Sequence, residues 1–338
     1  MDTDGPAHQR LLRVGWLVVL GALLAWAVAT RRQGLADLVR GARPGLLVVA
    51  LALQIGQLLP SVLLWTVAAR DLGAAGPGPA RDLGAARDLG AARDLDAAGP
   101  AAPRPHVLDV ARATARALPA RYLPGSVWFA LGRATLLTRD HGVPATSTAL
   151  IALLETALSL LVAAIVGSGL LLVGGAGSSL EGLAAPAVLV AWAGLLAVAL
   201  SPPVLNRVVA AIGRRRGVET PTLGWATLSR LVGLTCLHWI WWNTTFLVFL
   251  AAFPAAQPEG GPATSAGAFM IGWVTGFLAP FAPQGAGIAE GATALMLGGG
   301  AAVAVLLGGL RALGLIRDAL VITLERLTRP PDVDRASA

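Results

Sequence analysis

The sequence predicts an all-α fold: a polytopic helical bundle of an integral membrane protein, with about seven or eight transmembrane helices and two broken or re-entrant hairpins. The chain is 55% hydrophobic and only 13% charged, and its mean hydropathy is +0.69. Several apolar runs exceed the roughly 18 to 20 residues that a helix needs to cross a ~30 Å hydrocarbon core. The alternating pattern of a transmembrane β-barrel is absent from the sequence.

Seven apolar segments carry this prediction, because a helix satisfies its own backbone groups inside lipid. They are Leu11–Thr30, Leu46–Ala69, Thr148–Val173, Ala185–Leu205, Leu223–Phe253, Ala266–Phe281 and the final region Gly291–Leu324. The first segment is longer than the apolar core of a signal peptide, and arginines follow it where small residues would mark a cleavage site. We therefore expect it to be a retained helix.

A hexapeptide repeat separates the second apolar run from the rest of the chain. Ala-Arg-Asp-Leu-Gly-Ala begins at Ala69, Ala80 and Ala86, and a variant with aspartate begins at Ala92. A period of six fits neither a helix face nor a strand, and the repeat is too poor in apolar residues to bury a core. The predicted organisation is a transmembrane hairpin at 11–69, a low-complexity cytoplasmic linker at 70–105, the main membrane domain at 106–327 and a tail at 328–338.

Arginine clusters indicate the orientation in the membrane. The net charge is +7, and the segment between the fourth and fifth runs holds Arg207 and Arg214-Arg215-Arg216. The loops at 174–184 and 254–265 hold no basic residue, so the arginine-rich segment is predicted to be cytoplasmic, and the N-terminus with it. Because the basic residues are dispersed and form no aromatic-laced patch, no nucleic-acid partner is expected.

Two segments combine helix-breaking residues with polar side chains. Pro124-Gly125 interrupts a stretch too short to span a bilayer, and the second segment, 283–290, holds Pro283, Gly285 and Gly287. Irregular backbone survives at membrane depth only where protein or a water-filled cavity covers it. Both segments are therefore predicted to border a polar cavity.

Two glutamates are the candidate functional acids, because charged groups inside a membrane are costly and usually paired. Glu155 lies about two turns into an apolar run, and Arg133 is its predicted partner. Glu290 ends the second broken segment, and its available partners are Arg121, Arg133, Arg230 and Arg311. The Arg133–Glu155 pair could fix the hairpin structurally or bind a phosphate headgroup, and the sequence leaves both open.

Polar and aromatic residues also cluster in the fifth run, where some are expected to line a cavity or a helix contact. No catalytic motif and no metal-ligand spacing occurs among the four histidines, so neither a cofactor nor a metal is predicted. The lone Cys236 is expected to be a small buried hydrophobe. The polar and aromatic cluster of the fifth run comprises Arg230, His238, Trp239, Trp241, Trp242 and Asn243.

The order of these motifs resembles the lysylphosphatidylglycerol synthase transmembrane region, also called the flippase-like domain. The resemblance rests on Arg121-Tyr-Leu-Pro-Gly125, Trp128, Gly132-Arg133, Glu155 and the later Pro-x-Gly-x-Gly-x-x-Glu ending at Glu290. Two positions depart from the family pattern: Gln284 stands where a glycine is common, and Ala289 where an arginine is common. The resemblance covers roughly 11 to 327 without the repeat.

This resemblance implies a multi-pass protein of the bacterial cytoplasmic (inner) membrane that binds or translocates an anionic phospholipid or a polyprenyl-linked headgroup. We expect the chain to correspond to the membrane half of the synthases, without their aminoacyltransferase domain. The alternatives are an integral-membrane lipid-headgroup transferase and a non-catalytic scaffold for envelope-biosynthesis enzymes. The candidate substrate-binding residues are Arg121, Tyr122, Trp128, Arg133, Glu155, Arg230, Gln284 and Glu290.

Overall fold

A computed structural model describes residues 40–73, 104–123, 127–175, 190, 193–194, 197–198, 201–216, 222–258, 260–279 and 282–329. Within these ranges the chain is all-helical and has no β-strand, which confirms the all-α part of the prediction. The first apolar run, almost all of the repeat and the break at Pro124-Gly125 lie outside the described residues.

The described helices are numbered here in chain order, and short 3₁₀ segments at Leu118–Tyr122, Pro254–Ala256 and Pro283–Gly285 connect some of them. The α-helices are α1 (Pro44–Gly56), α2 (Leu58–Gly73), α3 (Val107–Ala117), α4 (Trp128–His141), α5 (Ala145–Val173), α6 (Pro202–Arg216), α7 (Trp225–Ala251), α8 (Gly261–Phe277), α9 (Ile288–Met296) and α10 (Gly300–Leu327).

Three stretches among the described residues are long and apolar enough to cross a membrane. They are Pro44–Leu72, Ala145–Val173 and Trp225–Ala251, of 29, 29 and 27 residues. Each meets the length that a ~30 Å hydrocarbon core requires. The larger number of spans and the re-entrant course of the two broken segments stay predictions.

The first of these stretches contains a helix break that the hydropathy pattern did not indicate. Helix α1 ends at Gly56 and α2 begins at Leu58, with Gln57 between them. Pro60 has no backbone N–H to donate to the carbonyl four residues earlier, so the regular ladder weakens at this point. The break puts Gln54 and Gln57 in the protein interior, where both side chains are buried.

The final apolar region also divides into two helices. Helix α9 begins after Gly287, whose N–H donates to a Glu290 carboxylate oxygen at 2.7 Å, and α10 begins at Gly300. Gly298 has φ 65, a left-handed conformation that glycine adopts without steric cost and that ends the short helix. Composition alone did not separate α9 from α10, because both are apolar.

Three hydrophobic clusters of the described residues form the core. The first joins residues of α2, α3, α4, α5, α6 and α7 around Trp65 and Leu231, and the second joins α1, α7, α8, α9 and α10 around Phe246 and Leu307. A smaller third cluster joins α5, α7 and α8 around Trp239 and Met270. Helix α7 contributes to all three clusters and packs against α1, α2, α5 and α8. The cavity described next takes lining residues from helices of all three clusters.

Candidate functional site

A cavity of about 270 Å³ lies within the bundle and brings together residues that flank the first broken segment and residues of the second. Five of the eight predicted substrate-binding residues line it. They are Arg121, Tyr122, Glu155, Gln284 and Glu290. Three arginines, two glutamates and one histidine are the ionisable groups of the lining apart from Tyr122, so the cavity is both polar and charged.

The predicted pair of Arg133 and Glu155 is confirmed. Nη2 of Arg133 donates to Oε2 of Glu155 at 2.6 Å, and the Arg133 side chain is completely buried. Ser61 Oγ and Trp65 Nε1 also donate to the Glu155 carboxylate, at 2.7 and 2.8 Å, and Arg133 Nη1 donates to Ser61 Oγ at 2.8 Å. Both oxygens of Glu155 are therefore engaged, as a carboxylate at membrane depth requires.

The partner of Glu290 is Arg311 of α10. Arg311 Nε donates to Oε1 of Glu290 at 2.5 Å, and Arg311 Nη2 donates to the backbone carbonyl of Gln284 at 3.2 Å. The other carboxylate oxygen of Glu290 accepts the N–H of Gly287, so this acid also caps the first turn of α9. Arg311 thus ties the second broken segment to α10.

A third polar cluster lies on the same face of α10 and was not predicted. Arg317 donates from Nε to Oδ1 of Asp318 at 2.7 Å, and from Nη1 to the side-chain oxygens of Gln54 and Gln57 at 3.0 and 3.1 Å. Tyr122 donates its hydroxyl proton to the second oxygen of Asp318 at 2.6 Å. Asp318 is almost fully buried, and these contacts neutralise its charge.

Arg121 differs from the other arginines of the cavity. Its nearest carboxylate oxygen, Oδ2 of Asp318, is 3.9 Å away, and within the described residues its guanidinium donates no hydrogen bond. It lies over the ring of Phe129 at 4.3 Å, with 23% of its side chain exposed to the cavity. Burial, followed by repulsion from Arg317, lowers the pKa of Arg121 to about 10, so the group stays charged at neutral pH.

One wall of the cavity is aromatic. Trp242 and Trp273 lie edge to face at 5.9 Å between ring centroids, and Trp273 stacks on Phe277 at 5.4 Å. His238 packs edge-on against Trp242 at 5.6 Å. The cavity therefore places an apolar aromatic surface and a cationic surface around the same space, which suits an amphipathic ligand.

Two lining residues contain buried polar atoms that have no hydrogen-bond partner among the described residues: Nε2 of Gln284 and Nδ1 of His238. Gln284 also has φ 50, which is uncommon for a residue with a side chain. Backbone in such a conformation persists only where neighbouring contacts hold it, and here Arg311 binds the Gln284 carbonyl.

The remaining predicted residues lie outside the cavity lining. Arg133 lies behind Glu155, Trp128 is on the exposed side of α4, and Arg230 pairs with Asp71 at 3.2 Å with 59% of its side chain exposed. Pro283, Gly285 and Gly287 form the turn before α9, as predicted. Hydropathy alone did not distinguish Arg230 from a cavity arginine, because both types lie within apolar runs.

Sequence reasoning missed the cluster around Arg317 although a signal was present. Arg317 and Asp318 are the only adjacent opposite charges inside the apolar region 291–324, and Gln54 and Gln57 are spaced to share one face of a helix. Polar residues inside a long apolar run indicate an interior-facing surface.

Comparison of the chain with protein-family models, curated proteins and solved structures finds no match in any of the three.

Proposed function

We propose that this protein is a multi-pass membrane protein, flippase-like in its mode of action, that binds an anionic phospholipid by its headgroup and carries it between leaflets. The observation that supports this proposal most strongly is Arg121. Its guanidinium lines the cavity and donates no hydrogen bond to any described residue, and the nearest carboxylate, that of Asp318, is already bound by Arg317 and Tyr122. An arginine fork in this state fits the oxygens of a phosphodiester.

The balance of charge favours an anion over a cation or a neutral ligand. Arg121, Arg133, Arg311 and Arg317 are matched by Glu155, Glu290 and Asp318, which leaves one positive charge in excess among the described residues in and beside the cavity. An unpaired charge in a poorly solvated site is costly, and a bound anion removes that cost.

The size and the lining of the cavity favour a headgroup with its chains outside. A volume of about 270 Å³ is just below the roughly 300 to 1,000 Å³ of typical small-molecule pockets, which is the size of a headgroup and not of a whole phospholipid. The wall formed by Trp242, Trp273 and Phe277 offers an apolar surface next to the cations. Midplane cavities bordered by broken helices are common substrate sites in transporters.

The first test is equilibrium binding of phosphatidylglycerol, with phosphatidylcholine as the zwitterionic comparison, to purified protein in detergent. Loss of a charge-assisted hydrogen bond costs about 1.5 to 3 kcal/mol, so Arg121→Gln should weaken binding of the anionic lipid by roughly tenfold or more. Arg230→Gln is the matched control, since it removes an arginine outside the cavity. Equal affinities of the Arg121→Gln variant and the intact protein would refute the proposed site.

A further inference from the structure

Two helical hairpins of this protein share one plan. Helices α4 and α5 are joined by residues 142–144, and α9 and α10 by residues 297–299. In each hairpin a short helix precedes a long one, of 29 residues in α5 and 28 in α10. Each connecting turn contains a glycine with φ 65, Gly142 in the first and Gly298 in the second.

Each hairpin also has an ion pair from its short helix to its long helix. Arg133 and Glu155 are 22 residues apart, and Glu290 and Arg311 are 21 apart, with the two charges exchanged between the helices. Both glutamates line the cavity. The cavity is therefore bordered by two structurally similar hairpins that carry oppositely oriented ion pairs.

The two pairs differ in how far a ligand could reach them. Arg133 has no exposed side-chain surface, donates to Ser61, and is covered by the rings of Trp65 and Phe129 at 4.2 and 4.7 Å. Arg311 is 28% exposed and lines the cavity. Only the second pair can exchange its carboxylate for another anion without unpacking the core.

A second cation site for the ligand follows from the geometry of α10. Arg311 and Arg317 both line the cavity and are six residues apart, which corresponds to about 9 Å along a helix. Arg317 shares Asp318 with Arg121. Among the described arginines of the lining, Arg317 is nearly buried and bonded to Asp318, so Arg311 is the guanidinium besides Arg121 that an anion in the cavity can reach.

We infer that Arg311 is a second anion-binding position, at which the phosphate of the ligand displaces the Glu290 carboxylate and releases the turn at 282–287. This inference rests on the proposed function. Arg311 holds that turn through the Gln284 carbonyl, where the backbone has φ 50. A backbone in such a region is strained, so the turn relaxes once Arg311 turns from the Gln284 carbonyl to the phosphate.

After the exchange, Glu290 keeps the hydrogen bond from the Gly287 N–H, which retains the first turn of α9. The α4–α5 hairpin keeps its ion pair, because Arg133 has no surface that a ligand can reach. Ligand binding is thereby coupled to movement of one hairpin against a fixed one, as alternating access requires.

Hydrogen–deuterium exchange in nanodiscs tests this inference, with phosphatidylglycerol added to a phosphatidylcholine bilayer. In the intact protein the anionic lipid should raise amide exchange severalfold in peptides covering 282–291 and leave peptides covering 128–141 unchanged. In the Arg311→Gln variant, exchange over 282–291 should be high without the anionic lipid and should not rise further. The Glu290→Gln variant, which keeps the shape of the side chain, serves if Arg311→Gln does not fold. Because the phosphate then has no carboxylate to displace, less anionic lipid should be needed to raise exchange over 282–291, and an unchanged lipid dependence would refute the inference.

The outcomes separate this inference from the proposed function. Native mass spectrometry can show that the anionic lipid binds while amide exchange over 282–291 is unchanged or falls. In that case displacement of Glu290 from Arg311 is refuted, and the proposed function stands. Unchanged exchange in a folded Arg311→Gln variant also refutes it. If no anionic lipid binds at all, the proposed function fails, and this inference fails with it.

Discussion

Arg121, Arg311 and Arg317 line the same cavity, but neighbouring groups neutralise them to different extents. Arg311 and Arg317 each make a hydrogen-bonded ion pair, with Glu290 and Asp318. Among the described carboxylates, the one nearest to Arg121 is that of Asp318, which is 3.9 Å away and already occupied. At the scale of single residues, first contact with the ligand is therefore assigned to Arg121, which donates no hydrogen bond within the described residues. Arg317 is assigned to holding the fold around it, and Arg311 holds the turn before α9 until a ligand displaces Glu290.

The affinity for an anionic lipid should not depend on pH near neutrality. Arginine stays protonated and a phosphodiester stays ionised between about pH 6 and 8, whereas histidine titrates in this range. Binding titrations across that range should give one affinity for the intact protein and for a His238→Phe variant alike. A decrease in affinity as the pH rises, abolished by His238→Phe, would instead assign the ligand to the histidine.

The buried pair of Arg133 and Glu155 should be important for stability. Removing one partner of a buried pair leaves an uncompensated charge, which costs about 3–5 kcal/mol. Thermal unfolding in detergent should therefore show a large loss for Glu155→Leu and a smaller one for the double variant Arg133→Met with Glu155→Leu. Arg116→Ala, which breaks a partly exposed pair with Asp140, is the control and should cost at most about 1 kcal/mol.

At the scale of helices, α5 and α7 were predicted from length and hydropathy to within a few residues, because each is one long apolar run. The breaks at Gln57 and between α9 and α10 were not predicted, since they depend on Pro60, a left-handed Gly298 and contacts from other helices. The pair of Arg133 and Glu155 was predicted because an isolated acid in an apolar run needs a cation. The pairing of Arg317 with two glutamines required tertiary structure.

The packing of α8 on α9 depends on small residues. A Cβ atom added at Gly276 would lie 2.8 Å from the Cβ of Ala289, whereas one added at Gly291 meets no atom within 4 Å. This close approach requires a small residue at 289, which is alanine.

We therefore expect Gly276→Ala to lower the melting temperature in detergent, since overpacking typically costs about 1–3 kcal/mol. Gly291→Ala is the matched control in the same helix pair. It should be neutral or slightly stabilising, because alanine favours a helix over glycine by about 1 kcal/mol. Equal melting temperatures for the two variants would contradict the packing described for α8 and α9.

At the scale of the whole molecule, helices of all three hydrophobic clusters border one polar cavity. Residues that flank the first broken segment and residues of the second contribute to its lining. The arrangement accounts for a chain that is 55% hydrophobic yet carries charged residues within its apolar runs. Those charges lie mostly in ion pairs around the cavity. The excess positive charge at Arg121 is the feature from which transport of an anionic headgroup is proposed.

Lipid translocation in proteoliposomes measures the proposed transport of an anionic headgroup itself. Fluorescent phosphatidylglycerol is placed in both leaflets, and a membrane-impermeant quencher is added outside. We expect the intact protein and Arg230→Gln to allow quenching beyond the outer leaflet, and folded Arg121→Gln not to allow it. Translocation by Arg121→Gln at the rate of the intact protein, or none by the intact protein, would contradict it.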